Sequence, residues 1–220
     1  MTKRQLSTRQ SFLTGLIGAP IAHSASPALH EHAADALGVR CHYQLIEVAG
    51  AGRDELKLLL EGVRRLGFAG VNVTFPYKEA VVDLLDELSP GAALIGAVNT
   101  VVVRDGRLTG YNTDTTGFAR AVTPLVTASA HGAVAVIGAG GVGKAIAFAL
   151  AGLGVSELRI FDTDHAKAAH LAARLEGHVK TTVTHSAEDA LRSVAGLVNG
   201  SPAPGSSRTS KPRLIQFLNA

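Results

Sequence analysis

With 220 residues, 46% of them hydrophobic, the chain is long enough to bury a core in one or two domains, which excludes a disordered protein. A formal charge of +3, with no basic stripe and no interleaved aromatics, argues against a nucleic-acid surface. The single cysteine, Cys41, excludes an intrachain disulfide, and His30-Glu31-His32 sets its histidines too close for one helix face, so no metal is implied.

Residues 1–10 are polar, basic and expected to be flexible. Lys3, Arg4 and Arg9 before the apolar stretch from Phe12 mimic a secretory signal, but Gly15, Gly18 and Pro20 interrupt it, and Phe12 to Gly18 reads better as a first strand. The exit loop, Ala19 to Pro27, carries two hydroxyls, Ser24 and Ser26. Pro27 suits the first position of a helix with Ser26 as its N-cap, which leaves Ser24 without a structural reason. Cys41 to Val48 reads as a second strand and Asp54 to Leu66 as a helix ending at Gly67.

The next stretch, Gly70-Val-Asn-Val-Thr-Phe-Pro-Tyr-Lys78, alternates apolar Val71, Val73 and Phe75 with Asn72 and Thr74, the pattern of a short strand that Pro76 ends. Tyr77 and Lys78 then open a helix expected to run through Ala80, Val81, Leu84 and Leu85. Ligands gather at the C-terminal edge of strands in open α/β sheets, and Asn72, Thr74 and Lys78 offer three polar groups that can converge on one polyol. Gly96 to Arg104 is β-rich, Asp105-Gly106 is a hairpin turn, and Asn112-Thr-Asp114 leads a helix through Phe118 and Val122. Only one of these polar residues can cap that helix. The small, polar run from Thr127 to Gly132 reads as a domain boundary.

From Ala133 the pattern is that of a dinucleotide-binding unit: strand Ala133 to Ile137, then Gly138-Ala-Gly140-Gly-Val-Gly143, then an apolar helix whose N-terminus can hold phosphate. By hydropathy Ala133 to Val155 would also score as a membrane span, but its early glycines and Lys144 favour strand, turn and helix, so a soluble, cytoplasmic protein is expected. Leu158 to Asp162 supplies a second strand ending in an acid. A carboxylate there accepts from both ribose hydroxyls of NAD and repels a 2′-phosphate, so NAD is favoured over NADP. A strand at Val179 to Thr184, a helix from Ala187 to Val194 and a strand from Gly196 to Asn199 complete half of a doubly wound fold.

Together these residues resemble the shikimate/quinate dehydrogenase family. The resemblance runs from Gly15 to about Pro202 and rests on His23-Ser-Ala-Ser-Pro27, Asn72-Val-Thr-Phe-Pro-Tyr-Lys78, Gly96-Ala-Val-Asn-Thr100, Gly110-Tyr-Asn-Thr-Asp114 and the glycine loop. It implies an α/β fold with a substrate-binding domain over 11–130, a C-terminally incomplete Rossmann domain over 131–202 and an irregular tail over 203–220. It implies Lys78 and Asp114 as the catalytic pair, and Ser24, Ser26, Asn72, Thr74 and Asn99 as substrate contacts beside them. Gly138, Ala139, Gly140, Gly141, Val142, Gly143, Asp162, Asn199 and Ser201 would bind the cofactor. The implied reaction is reversible oxidation of shikimate to 3-dehydroshikimate, and of quinate to 3-dehydroquinate, by a monomer or homodimer that needs no metal. Where NADP-using members carry Asn-Arg-Thr, this chain has Asp162-Thr-Asp164, as in the NAD-using branch.

After Asn199-Gly-Ser-Pro202 the family pattern stops, and the residues from Ala203 to Arg213 are poor in apolar side chains, with only Leu214 to Leu218 able to pack. The strand carrying Asn199 is therefore expected at an open sheet edge. A second reading follows, in which the chain is a weak or inactive fragment that binds nucleotide or cyclic acid without turnover. The plan of a methylene-tetrahydrofolate type dehydrogenase has no place for the two-serine loop.

Overall fold

The computed structural model describes residues 10–126 and 132–201, and the backbone of 215–217. The tail expected over 203–220 and the boundary run after Val126 thus lie largely outside the described residues. Two compact units form: one comprises residues up to Leu88 with Val98–Tyr111, the other Ser89–Ala97 with everything from Asn112. The dividing point precedes the Asn112 helix, so that helix and a short excursion at Ser89–Ala97 group with the glycine-loop unit.

In the first unit, β1 (Ser11–Gly18), α1 (Ser26–Ala36), β2 (Arg40–Glu47), α2 (Arg53–Arg65) and β3 (Phe68–Val73) follow the expected order. β1 pairs in parallel with both β2 and β3. β3 then pairs antiparallel with β5 (Thr100–Arg104), which forms a hairpin with β6 (Arg107–Tyr111). The turn is Asp105-Gly106, with φ of 51° and 72°, the left-handed pair that a two-residue hairpin turn requires. A two-residue strand, β4 (Glu87–Leu88), closes the sheet in the order β2-β1-β3-β5-β6-β4. The core includes Leu16, Ile21 and Tyr43, with Leu45 against them.

The helix expected after Lys78 does not form. Turns and a single 3-10 turn at Val82–Leu84 take its place, and Leu85 is extended. Asp86 is the reason: its carboxylate accepts the Leu108 N–H at 2.7 Å while its own N–H donates to the Leu108 carbonyl at 3.1 Å, which draws 86–88 into the sheet.

The second unit is built on the sheet β11-β10-β7-β8-β9. β7 (Ala133–Ile137) and β10 (Gly196–Asn199) fall where the sequence places them, and β8 (Glu157–Phe161) and β9 (Lys180–Val183) differ by a residue or so. These four are parallel. α5 (Gly141–Gly152) and α6 (His165–Arg174) cover one face, where Val134, Val136, Ile146, Leu150, Leu158, Ile160 and Leu171 form the core. α3 (Pro90–Ile95) and α4 (Asp114–Val126) belong to the same unit. The helix expected from Ala187 to Val194 is only α7 (Ala187–Ala190), and Ser193 beyond it has a φ of 52°, outside the helical region.

β10 is not an open edge. β11 (Ile215–Phe217) pairs antiparallel with it, Leu197 opposite Gln216, so its outer hydrogen-bonding groups are taken by a strand from within Leu214 to Leu218, the part of the tail read as able to pack.

Candidate active site

In the first unit Ser24, Ser26, Asn72 and Asn99, four of the polar residues picked out in sequence, are joined through Tyr43 and Thr100. Ser24 Oγ donates to Ser26 Oγ at 3.0 Å, and Ser26 hydrogen bonds to the Tyr43 phenol. Tyr43 Oη donates to Asn72 Oδ1 at 2.7 Å, Asn72 Nδ2 donates to Thr100 Oγ1 at 3.1 Å, and Thr100 Oγ1 donates to Asn99 Oδ1 at 3.0 Å. Apart from the serine to tyrosine link, whose direction is not fixed, each donor points toward Asn99, and such chains strengthen their own members.

The chain lies at one sheet edge for a topological reason. The serine loop leaves the C-terminal end of β1, and Lys78 follows the C-terminal end of β3. Asn99 precedes β5, which runs the opposite way, and its carbonyl accepts the Val73 N–H at 2.9 Å. Thr74 sits at the same edge, its N–H on the Ile17 carbonyl at 2.9 Å and its side-chain methyl against Gly18, where a Cβ would strike it.

Two expectations for the serine loop are reversed. Ser26 makes no side-chain cap on α1; it is the first helical residue, after Ala25. Ser24 supplies the turn instead, its Oγ accepting the Ser26 N–H at 3.2 Å, so the residue read as lacking a structural role has one. Asn72 is also engaged within the fold, its amide donating to the Asn99 carbonyl at 3.2 Å as well as to Thr100.

Sequence reasoning assigned no site role to Tyr43 or Tyr77. Tyr43 is 4% exposed, and burial above all pushes its hydroxyl up to about 12, with the Ser26 hydrogen bond opposing that shift. Its position on a strand's inward face was the available signal. Tyr77, also buried, donates to the Val48 carbonyl at 2.7 Å and accepts the Ala51 N–H at 2.9 Å. The adjoining Lys78 carbonyl accepts the Val98 N–H at 2.7 Å, so Lys78 is fixed through its backbone and half-buried.

In the second unit, Asp114 opens α4. Asn112 makes the turn that leads into it: its Oδ1 accepts the Asp114 N–H at 3.0 Å and its Nδ2 donates to the Ala97 carbonyl at 3.0 Å. The glycine loop is backbone packed on backbone. Gly138 has a φ of 94°, and a Cβ there would lie 2.7 Å from the Ser201 nitrogen. A Cβ on Gly143 would collide with the Gly138 carbonyl, and one on Gly200 would lie 2.9 Å from Gly143 Cα. Gly200 was missed in sequence, although Asn-Gly-Ser-Pro is a turn signal. Asn199 Oδ1 accepts from the Ser201 N–H at 2.9 Å and the Ser201 hydroxyl at 2.6 Å, which shapes that turn.

Asp162 is not a helix cap. Asp164 caps α6 by accepting the Ala166 N–H at 3.1 Å. Asp162 Oδ2 accepts the Ala139 N–H at 2.7 Å, and Oδ1 accepts the Asp164 N–H at 2.8 Å and the Thr163 hydroxyl at 3.5 Å, leaving a further lone pair on Oδ2. α5 begins at Gly141 after an extended Gly140, with no side-chain cap on its first turn. A first turn of uncapped N–H groups beside an acid at the next strand end fits a dinucleotide's pyrophosphate and ribose.

Two family models match the chain. The family model described as the shikimate dehydrogenase substrate binding domain matches residues 16–101, and that of the ThiF family matches 115–200. A shikimate dehydrogenase (NADP(+)) of Arthrobacter sp. is 38% identical over 218 residues, covering 96% of this chain and 74% of the relative. The chain belongs to the shikimate/quinate dehydrogenase family. A quinate/shikimate dehydrogenase (NAD(+)) of Corynebacterium efficiens is 42% identical over 201 residues, covering 87% of this chain and 70% of that relative. Among solved structures, quinate dehydrogenase from Corynebacterium glutamicum in complex with NAD superposes with a TM-score of 0.78 at 39% identity, covering 88% of this chain and 72% of that one. Shikimate 5-dehydrogenase from Thermus thermophilus in complex with NADP(H) and shikimate gives 0.72 at 37%, covering 86% and 68%. Members of this family are oxidoreductases, and both NAD and NADP occur in the names of these relatives.

Proposed function

We propose that this chain catalyses the reversible oxidation of shikimate to 3-dehydroshikimate and accepts quinate as a second substrate, with NAD preferred to NADP. The observation that carries the reading is the hydrogen-bonded run from Ser24 to Asn99, set at the sheet edge from which Lys78 departs. Hydroxyls and amides so arranged are suited to a ring bearing several hydroxyls and a carboxylate, because each can turn from an internal partner to a substrate oxygen.

A bound dinucleotide, which the glycine loop and Asp162 would hold, would supply the hydride acceptor. The chain's own task is to remove the hydroxyl proton, and Lys78 is the group proposed to carry it, with Asp114 orienting the amine and balancing its charge. A positioned acid or base is worth roughly 10² to 10⁴-fold in rate. The backbone hold on Lys78 through Val98 and the buried Tyr77 beside it support this role, since an acid/base group must be fixed to act. The preference for NAD rests on Asp162, whose charge opposes a 2′-phosphate.

The test is an assay of nicotinamide reduction with shikimate and with quinate, on the wild type and on Lys78→Ala. Turnover that falls by about 10²-fold or more in the variant supports the reading. Near-normal turnover in it removes Lys78 from the chemistry, and higher kcat/KM with NADP overturns the cofactor preference.

A further inference from the structure

The His30-Glu31-His32 run, too tight to set two metal ligands on one helix face, has another use. His30 is half-buried on α1, whereas His32 is exposed. The His30 ring lies against the Tyr43 ring, with centroids 4.5 Å apart and a 31° tilt, and its Nδ1 is 2.9 Å from the Ser26 carbonyl. A carbonyl oxygen only accepts, so Nδ1 carries the hydrogen and donates. We propose that His30 is a positioning residue for the substrate: it sets where the Ser26 and Tyr43 hydroxyls stand, and through them how tightly the cyclic acid is held.

Three side chains close a loop. Ser26 hydrogen bonds to the Tyr43 phenol, the ring of that phenol meets His30, and His30 returns to Ser26 four residues back on the same helix. Glu31 completes the hold, its Oε1 accepting the Tyr43 N–H at 3.0 Å. β2 is the outermost strand of its sheet, so an outward N–H there has no strand to pair with. Neighbouring residues of α1 thus grip one residue of β2, His30 by the ring and Glu31 by the backbone.

A hydroxyl turns freely about its C–O bond, so what a polyol site needs from the fold is an oxygen in a fixed place. His30 supplies that for Ser26 from the backbone side and for Tyr43 from the ring side. The oxygens it fixes would meet substrate and transition state alike, so losing His30 should raise KM and leave kcat near its wild-type value. The inference rests on the substrate reading proposed above.

The test compares His30→Phe, which keeps a ring on Tyr43 but removes the donor, with His30→Asn, whose amide nitrogen can stand where Nδ1 stood, and with His32→Asn. Turnover of shikimate and the dissociation constants of shikimate and of NADH are measured on the full chain. In His30→Phe, the KM and Kd of shikimate are expected to rise about fivefold to tenfold, the effect of one hydrogen bond, with kcat and NADH binding within about twofold of wild type. His30→Asn is expected to recover most of that loss, and His32→Asn to match the wild type. Wild-type shikimate affinity in His30→Phe, an equal loss in His30→Asn or His32→Asn, or a parallel fall in kcat and NADH binding overturns this proposal alone. Nitrogen NMR of the wild type at about pH 8.5, above the ordinary imidazole range, needs no variant: His30 is expected to carry its hydrogen on Nδ1, and a hydrogen on Nε2 overturns the proposal. A wild type that neither binds nor oxidises shikimate overturns the proposed function, and this inference with it.

Discussion

Asp162 Oδ2 accepts the Ala139 N–H at 2.7 Å, so the acid at the end of β8 holds the glycine loop at the end of β7. One carboxylate thus shapes the loop and, on the function proposed above, also meets the ribose. Hydrogen bonds to a charged group are worth about 1.5–3 kcal/mol, so Asp162→Ala is expected to weaken NADH binding by about 10 to 100-fold. Asp162→Asn, which keeps an acceptor but not the charge, should lose less and should improve NADPH relative to NADH. Calorimetric titration of both variants with both nucleotides checks this, and an unchanged NADPH to NADH ratio in the asparagine variant would remove charge from the explanation.

Tyr43→Phe breaks the polar chain at its centre and leaves Asn72 Oδ1 without its 2.7 Å donor. A buried acceptor so stranded costs about 1–3 kcal/mol, and the melting temperature should fall accordingly. The shikimate KM is expected to rise more than kcat falls, because the loss is in positioning. The phenol's folded pKa of about 12, above its ordinary 10.0, adds a pH signature. A raised value means stability that is complete below pH 10 and is lost as pH climbs toward 12. Wild type should therefore lose more stability than the phenylalanine variant over that alkaline interval.

Glu157 ties β8 to β9, accepting from Thr182 Oγ1 at 2.7 Å and Lys180 Nζ at 3.2 Å. The Thr182 hydroxyl first, and Lys180 after it, hold this carboxyl below its ordinary 4.5. A depressed value contributes stability that is present above the unfolded carboxylate range and is lost as pH falls through the folded one. Glu157→Gln is expected to be less stable than wild type at neutral pH and to converge with it in acid, as read by denaturant unfolding. A difference that persists in acid would assign the effect to packing.

Two glycines of α5 should respond in opposite directions. At Gly143 a methyl meets the Gly138 carbonyl, so Gly143→Ala must push the helix from the loop and should cost more than the roughly 0.5–3 kcal/mol of an ordinary substitution. At Gly152 a methyl meets nothing within 4 Å, and Gly152→Ala should stabilise by about 0.4–1 kcal/mol. Thermal unfolding of the two variants decides the matter.

What the sequence made legible was local and strongly signalled. β7, β10 and the Asp105-Gly106 turn fall where the residues place them, because alternation and left-handed turn chemistry need no distant partner. α3 was overlooked although its signals were present: Ser89 accepts the Ala92 N–H at 3.2 Å, Pro90 starts the helix and Gly96 ends it with a φ of 67°. The failures have distant causes. The helix after Lys78 gives way to Asp86 pairing with Leu108 across 22 residues, and the edge of β10 is covered by β11, whose three residues carry too little pattern to be read alone. The serine loop was read by residue preference, and its geometry gave the turn to Ser24 instead of Ser26. No helix among the described residues is long and apolar enough to cross a membrane, and the glycine-rich stretch from Ala133 is strand, turn and helix.

The most direct test of the account is single-turnover reduction of NAD by shikimate, followed at the nicotinamide, with wild type and Lys78→Ala at equal nucleotide saturation. The account predicts NADH formation by the wild type and a rate lower by about 10² to 10⁴-fold in the variant, with nucleotide binding retained. A wild-type chain that binds NAD and shikimate yet forms no NADH, or a variant that forms it at the wild-type rate, would contradict it.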